Sequence, residues 1–354
     1  MKTNARRTTG IGSLPHHNVD AALDHSFRMG IPFLPQIPIR NPWEFMLAQA
    51  LEGIPGLQAQ SDGTCLIAPD IWASRAQDLE RRLQKAFIKS PSDAFAFSSF
   101  EPGTSVSSSW QAFVWELAES KIATPKEAKI QIAGPLTARW ALRSKEGCDL
   151  GDLPGLDTQI FRLILARSLG MCRRLAQTGV RPILFLDEPG LYSLSLSNPR
   201  HVVALSELKL LIQALKKEGN RVGLHVCSNT DWGAVLGLGI DILSIDTSLS
   251  LAGLLAGENK KSAEKFLAAG GRLALGVIPT GQTSQLRSLR SEDLVRELRE
   301  RLDEAWHDEP ERIRNLLETS LLTPACGLAL HTPEDAEAAL ALLDEVHDRI
   351  GGGR

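Results

Sequence analysis

The amino-acid sequence predicts an α/β chain of the (β/α)8 TIM-barrel class, with a long insertion between its second and third strands. Three observations carry that expectation. Short, nearly continuous apolar segments bounded by turn residues recur along the chain, as suits parallel strands buried on both faces. Longer stretches with apolar residues at three- and four-residue steps separate them. The alternation repeats eight times, as in a barrel where each strand is followed by a helix. A doubly wound open sheet, built from the same units, is the competing architecture.

In order, the expected strands are "TGIGSLP" (9–15), "IPFLPQIP" (31–38), "AKIQIAGP" (128–135), "PILFLDEPG" (182–190), "RVGLHVCSN" (221–229), "DILSIDTS" (241–248), "RLALGVIPT" (272–280) and "SLLTPACGL" (320–328). Helical spacing covers 157–178, 201–218 with Gly219 after it, and 292–306. A last helix over 333–349 opens with Thr332 as a cap and Pro333 in the first helical position. The interval from roughly 40 to 127 is too long for one crossover. It holds helix-like pieces at 42–52 and 71–89 and a Ser-rich turn region, "SSFEPGTSVSSSW" (98–110), and reads as an insertion over one rim. One domain is expected over 1–354, with "GGGR" closing a frayed tail from 350 to 354.

Composition excludes several function classes. Of 354 residues, 43% are hydrophobic and 23% charged, ordinary values for a globular protein with a sizeable core. The net charge of −3 offers no basic footprint for nucleic acid or an anionic membrane. No apolar run is long enough to span a bilayer. The start "MKTNARRTTGIGSLP" has basic residues with no apolar stretch behind them, so no secretory leader is expected. Five cysteines, an odd number, do not suggest a disulfide framework. A reducing cytoplasm is the expected compartment, where thiols are free for metal or chemistry.

The polar residues of the expected strands fall at their C-terminal ends: Ser13, Gln36, Asp187 and Glu188, His225 and Cys227, Asp246, Thr280 and Cys326. A barrel builds its site at that rim. Residues i and i+2 of a strand share a face, so His225 and Cys227 offer an imidazole and a thiolate side by side. Zinc prefers tetrahedral nitrogen and sulfur ligands. Cys326, at the end of the last strand, and Asp246, at the end of the strand after His225, are the candidates to complete the set. Plainer roles stand beside these: a packed cysteine, a histidine satisfied by a neighbour, and Asp246 as the cap of the next helix. Two sulfur ligands keep a metal-bound substrate thiol deprotonated yet nucleophilic, which suits thiol alkylation. In "LDEPG" (186–190), Asp187 is read as receiving a substrate ammonium, or else as a helix cap. "GIGSLPHH" (10–17) can present backbone amides to a carboxylate, but it is no dinucleotide fingerprint: the third glycine is missing and Pro15 interrupts the helix. His16 and His17 are read as substrate contacts or neutral loop residues.

The segments "TTGIGSLP", "LDEPG", "HVCSNTDW", "ILSIDTS" and "TPACGL", in this order, resemble the catalytic barrel of cobalamin-independent methionine synthase. The wider likeness takes in uroporphyrinogen decarboxylase and the zinc-dependent methylcorrinoid:thiol methyltransferases. The resemblance spans nearly the whole chain and covers only the catalytic half of the two-barrel synthases. It implies a zinc cofactor held by His225, Cys227 and Cys326, with Asp246 where the synthase has a Glu ligand. It implies Ser13 and Asp187 as holders of the amino-acid part of homocysteine. Two positions depart from the pattern. Ile37, in "PQIPIRN", stands where the synthase grips the substrate amine with Glu, and "GVIPTGQ" lacks the acid/base histidine of the seventh strand.

The sequence therefore points first to a zinc-dependent S-methyltransferase acting on a small thiol, with a methylfolate or a methylcorrinoid protein as donor. Asp187 is its expected catalytic residue; Ser13, Gln36, Asp187 and Glu188 are its expected substrate contacts. A metal-free decarboxylase of the tetrapyrrole type is the second class, requiring arginines and a tyrosine at the mouth, for which Tyr192 is the one candidate. A non-catalytic barrel that binds zinc or a small ligand is the third.

Overall fold

The computed structural model describes residues 6–119, 125–281 and 283–352. Its strands are β1 (Leu57–Ala59), β2 (Cys65–Ile67), β3 (Glu127–Ala133), β4 (Arg143–Ser144), β5 (Arg181–Asp187), β6 (Arg221–Val226), β7 (Ile242–Asp246), β8 (Arg272–Ile278) and β9 (Leu321–Pro324). Six of them make one all-parallel sheet in the order β3-β5-β6-β7-β8-β9, with helices in the crossovers. β1, β2 and β4 form a separate small sheet.

The expected eight-stranded barrel is not what forms. The large sheet curls through 215° and stops at six strands, so no closed eightfold barrel is present among the described residues. The expected strands at 9–15 and 31–38 are extended segments attached by isolated bridges, Thr8 to Leu322, Ser13 to Gln36 and Phe33 to Lys129. The reason lies in their composition. Pro32, Pro35 and Pro38 lack the N–H that a continuous ladder needs, and Gly10 and Gly12 bring no side chain to pack on a neighbour. What pairing remains uses the other backbone groups: Leu34 N–H to Lys129 O at 2.9 Å, Lys129 N–H to Pro32 O at 2.7 Å, and Gln36 N–H to Gly12 O at 3.0 Å.

The helices fall where the apolar spacing places them, at Leu156–Gln177, Pro199–Lys217, Ser291–Ala305 and Pro333–Gly352. In Pro199–Lys217 the buried residues are Ala204, Leu208, Leu211, Ile212 and Leu215, one stripe at three- and four-residue steps. Each such leucine contributes about 1.5–3 kcal/mol by leaving water. Asn198 caps that helix by accepting the Arg200 N–H, and Pro199 occupies its first turn. The last helix runs on through the expected tail as far as Gly352; 353–354 lie outside the described residues.

Between the bridged segment at 31–36 and β3, the insertion carries the helices Met46–Leu51, Pro69–Lys89 and Ser108–Glu119 and the strands β1 and β2. Part of the Ser-rich region expected as a turn is helix from Ser108 onward. The insertion is pinned to the helix Leu156–Gln177 by one buried cation. Arg167, 2% exposed, donates to the carbonyls of Phe100, Gln49, Ala50 and Glu52 and to the Glu52 carboxylate. Burying a guanidinium is tolerable only because its donors are satisfied in this way. No helix of the described residues is long and apolar enough to cross a membrane.

Candidate metal centre

Parallel pairing sets the first row of the site. Asp187 at the end of β5 lies opposite His225 of β6, and His225 lies opposite Ser244 of β7. Residues in register on neighbouring strands face the same way, so three polar side chains share the inner face of the sheet. Beneath them Ile183, Phe185, Ile242, Ala274 and Leu321 form a small apolar layer with Ile31. Polar groups at the strand ends over an apolar floor are what the alternation in "FLD", "LHV" and "LSI" encodes.

His225 is 4% exposed, and its Nδ1 lies 3.0 Å from Ser244 Oγ. With Nδ1–H donated to the serine, Nε2 keeps its lone pair; that atom is buried and has no hydrogen-bond partner among the described residues. Cys227 follows one residue after β6, and Cys326 two residues after β9. The imidazole and the two sulfurs bring one ligand atom each within 4.8 Å of one another. The close turn that delivers Cys326 depends on Gly276 in β8, where a Cβ would sit 2.7 Å from both Ala325 Cα and the Ile245 carbonyl oxygen. All five cysteines are free; Cys227 is half-buried and Cys326 exposed, so the cluster opens to solvent on its sulfur side.

The hydrogen bond from Cys227, helped by His225, draws Cys326 down to about 4, and Cys227, donating to that sulfur, is pushed up. An imidazole nitrogen and two sulfurs gathered so closely form a candidate cation site.

The two acidic residues of "LDEPG" part company, as neighbours on a strand must. Asp187 is 5% exposed and its Oδ1 has no partner among the described residues. Burial lifts its carboxyl to about 6, against the pull of His225 and Lys129. Glu188 turns to the other side and caps the helix Pro135–Ala141, accepting from Leu136 N–H at 3.0 Å and Thr137 N–H at 2.7 Å, and from Thr137 Oγ1–H at 2.6 Å. Its oxygens are thus taken up in the fold.

The remaining expected residues divide the same way. Ser13 reaches the turn after Cys326, its Oγ against Gly327 and its carbonyl accepting the Leu328 N–H at 2.9 Å. Gln36 is buried and its amide donates to Gln49 at 2.7 Å, which ties the insertion to the inner face. Asp246 takes the plainer of its two roles. Its carboxylate caps the helix Thr247–Leu254 through Ser248 N–H at 2.7 Å and Leu249 N–H at 3.2 Å, and it stands outside the three-residue cluster. Ile37 is fully buried, and its N–H donates at 2.5 Å to Glu44, a carboxylate that also accepts from Ser109. Tyr192 is 72% exposed.

Several residues of the site were not anticipated. Lys129, 1% exposed, donates to the Ile11 carbonyl at 2.5 Å and to Gln131 Oε1 at 3.0 Å, with its ammonium 4.9 Å from the centre of the Phe185 ring. Burial lowers it to about 8, and Asp187 holds it up. Gln131 in turn donates to the Leu34 carbonyl at 2.8 Å. Together these two side chains fasten both bridged segments to the sheet. The period of two in "KIQ" was the available signal. His331, whose Nε2 lies 3.1 Å from the Thr280 carbonyl, approaches the end of β8 from the C-terminal side of Cys326. A second group of potential ligands, His16, His25 and Glu337, also gathers within 4.8 Å.

The arrangement is thus an α/β protein with a candidate metal cluster at the C-terminal ends of parallel strands, and an unpaired carboxylate oxygen at the neighbouring strand end. Compared with known proteins, the chain matches no protein-family model and no curated protein.

Proposed function

We propose that this chain is a zinc-dependent S-methyltransferase that methylates a small thiol such as homocysteine, with a methylfolate or a methylcorrinoid protein as donor. One observation carries the reading: Cys326, 99 residues on in the chain, joins His225 and Cys227, so that one imidazole nitrogen and two sulfurs gather within 4.8 Å of one another. Tetrahedral zinc with Zn–N of about 2.0–2.1 Å and Zn–S of about 2.3 Å spaces its ligands by about 3.3–3.8 Å. Inward adjustments of at most about 1 Å would bring the three atoms to that spacing. The unpartnered Nε2 of His225 fits that role, because no other group competes for it among the described residues.

Zinc held by these three residues would have one further position, for a substrate sulfur. When bound, zinc holds that sulfur as a thiolate at neutral pH. The side chains do the rest. Ser244 orients the imidazole; Asp187 offers its free oxygen to a substrate ammonium; Ser13 borders the same mouth beside Gly327. In the transfer the sulfur lone pair forms the S–C bond, and the bond between methyl and donor breaks with its electron pair left on the donor. The thiol proton leaves to solvent when the sulfur binds. The likeness to cobalamin-independent methionine synthase supports the same chemistry, and the free cysteines suit a reducing cytoplasm.

The metal-free decarboxylase is less well supported. Tyr192 is turned to solvent, and Arg181, Arg221 and Arg272 begin their strands, at the end opposite the cluster. Zinc content and X-ray absorption, with and without homocysteine, test the proposal. Zinc that depends on Cys227 and gains one sulfur ligand on addition of the thiol is the expected result. Protein that binds no stoichiometric zinc, or that methylates thiols unchanged after Cys227→Ser, overturns it.

A further inference from the structure

We propose that His16, His25 and Glu337 form a second metal site, for a divalent ion of the zinc, cobalt and nickel class, that braces the N-terminal segments against the last helix. The three residues come from three separate elements. His16 lies in the loop after the bridged segment, His25 in the last turn of the helix Val19–Arg28, and Glu337 in the second turn of the helix Pro333–Gly352. They meet at one carboxylate oxygen: His16 Nε2 lies 3.3 Å and His25 Nε2 3.2 Å from Glu337 Oε1, and the imidazole centres are 5.5 Å apart.

Those two separations match the spacing of ligands around a small tetrahedral cation, about 3.3 Å for a metal–nitrogen bond of about 2.0–2.1 Å. Two nitrogens converging on a single oxygen leave a natural position for an ion between them. His16 is 3% exposed, and its Nδ1 has no partner among the described residues. Without metal the His16 Nε2–H donates to Glu337 Oε1; with no donor opposing a proton at Nδ1, the proton can sit there instead and leave Nε2 to an ion. His25 and Glu337 are partly open, with 20% and 42% of their side chains exposed, which gives the ion an entry path and water a place in the shell. Two imidazoles and a carboxylate suit a borderline transition metal; magnesium and calcium take all-oxygen shells.

The place of this cluster gives it a consequence. The loop that carries His16 also carries Ser13, whose carbonyl accepts the Leu328 N–H just after Cys326. An ion held by His16, His25 and Glu337 would fix the positions of two loops that border the first cluster. The proposal does not rest on the methyltransferase reading.

Metal titration of the whole protein with Co2+ tests it, read by calorimetry and by visible absorption. Two equivalents are expected for the unaltered chain and one for His25→Ala, whose remaining ion keeps sulfur-to-cobalt charge-transfer bands. In Cys227→Ser/Cys326→Ser the single equivalent should lack those bands, and adding Glu337→Gln should weaken its binding at least about tenfold. Either variant series decides the matter alone if the other fails to fold. Metal binding that is indifferent to both His25→Ala and Glu337→Gln, whether one or two equivalents bind to the unaltered chain, overturns the proposal.

Discussion

The two clusters each bring three potential ligands within 4.8 Å, yet they are assembled by different means. His225 is placed by strand register, with Ser244 in the next strand holding the ring, and Cys227 follows directly at that strand's end. His16, His25 and Glu337 come from a loop and two helices, and no sheet pairing fixes their spacing. The first cluster has a buried imidazole whose orientation is set by a hydrogen bond; in the second, His16 Nδ1 is unpartnered and Glu337 is 42% exposed. Register gives precision, because a ladder of backbone hydrogen bonds defines every position along it. Helix and loop placement gives reach, joining distant parts of the chain at some cost in rigidity. The sheet-built cluster is therefore the better candidate for chemistry, and the helix-built one for a brace.

Substitutions can break or sharpen that contrast. The largest effect is expected for Cys227→Ser, which should abolish stoichiometric zinc at the first cluster and thiol methylation with it. Metal analysis and single-turnover transfer check this, and metal at the second cluster should persist. Asp187→Asn should leave zinc content unchanged while lowering kcat/KM for an amino-bearing thiol by about 10- to 150-fold, as loss of a charged hydrogen bond does. A thiol without an amino group should show little of that loss, which separates substrate binding from metal binding.

Ser244→Ala removes the support of His225 and keeps every ligand. Zinc affinity should fall about 10- to 100-fold, measured by competition with a chelator. Gly276→Ala tests whether packing alone places Cys326. Its new Cβ would meet backbone atoms at 2.7 Å, and overpacking of this kind costs about 1–3 kcal/mol. Denaturant titration should show that loss together with weaker zinc binding. The smallest effect belongs to Glu337→Gln without metal, about 0–1 kcal/mol, the ordinary worth of a partly exposed pair. A loss of several kcal/mol in metal-free protein would show instead that the carboxylate itself holds the two histidines.

Much of this was legible in the residue pattern. The six strands of the large sheet coincide with apolar runs, and the helices at 156–177, 199–217, 291–305 and 333–352 match their stripes within a few residues. The pairing of His225 with Cys227 follows from a period of two. The closed eight-stranded barrel was the error. Apolar character at 9–15 and 31–38 suggested strands, while the prolines and glycines within those runs limited them to isolated bridges. Asp246 and Glu188 were read toward the site, but helix N-termini nearby offered unpaired N–H groups that a carboxylate satisfies. Lys129 and Gln131 went unnoticed because they sit inside an apolar strand, where their acceptors come from segments far away in the chain.

Local order alone determined the six strands of the large sheet and the four long helices, and put Cys227 at the end of the strand that carries His225, because these depend on side-chain period and backbone sterics over a few neighbours. Only the tertiary structure decided that Cys326 joins them, that Asp187 keeps a free oxygen while Glu188 loses both, and that His16, His25 and Glu337 meet. Those outcomes turn on how far the sheet curls and on which loops close over its end. Such long-range packing leaves no periodic trace in the chain.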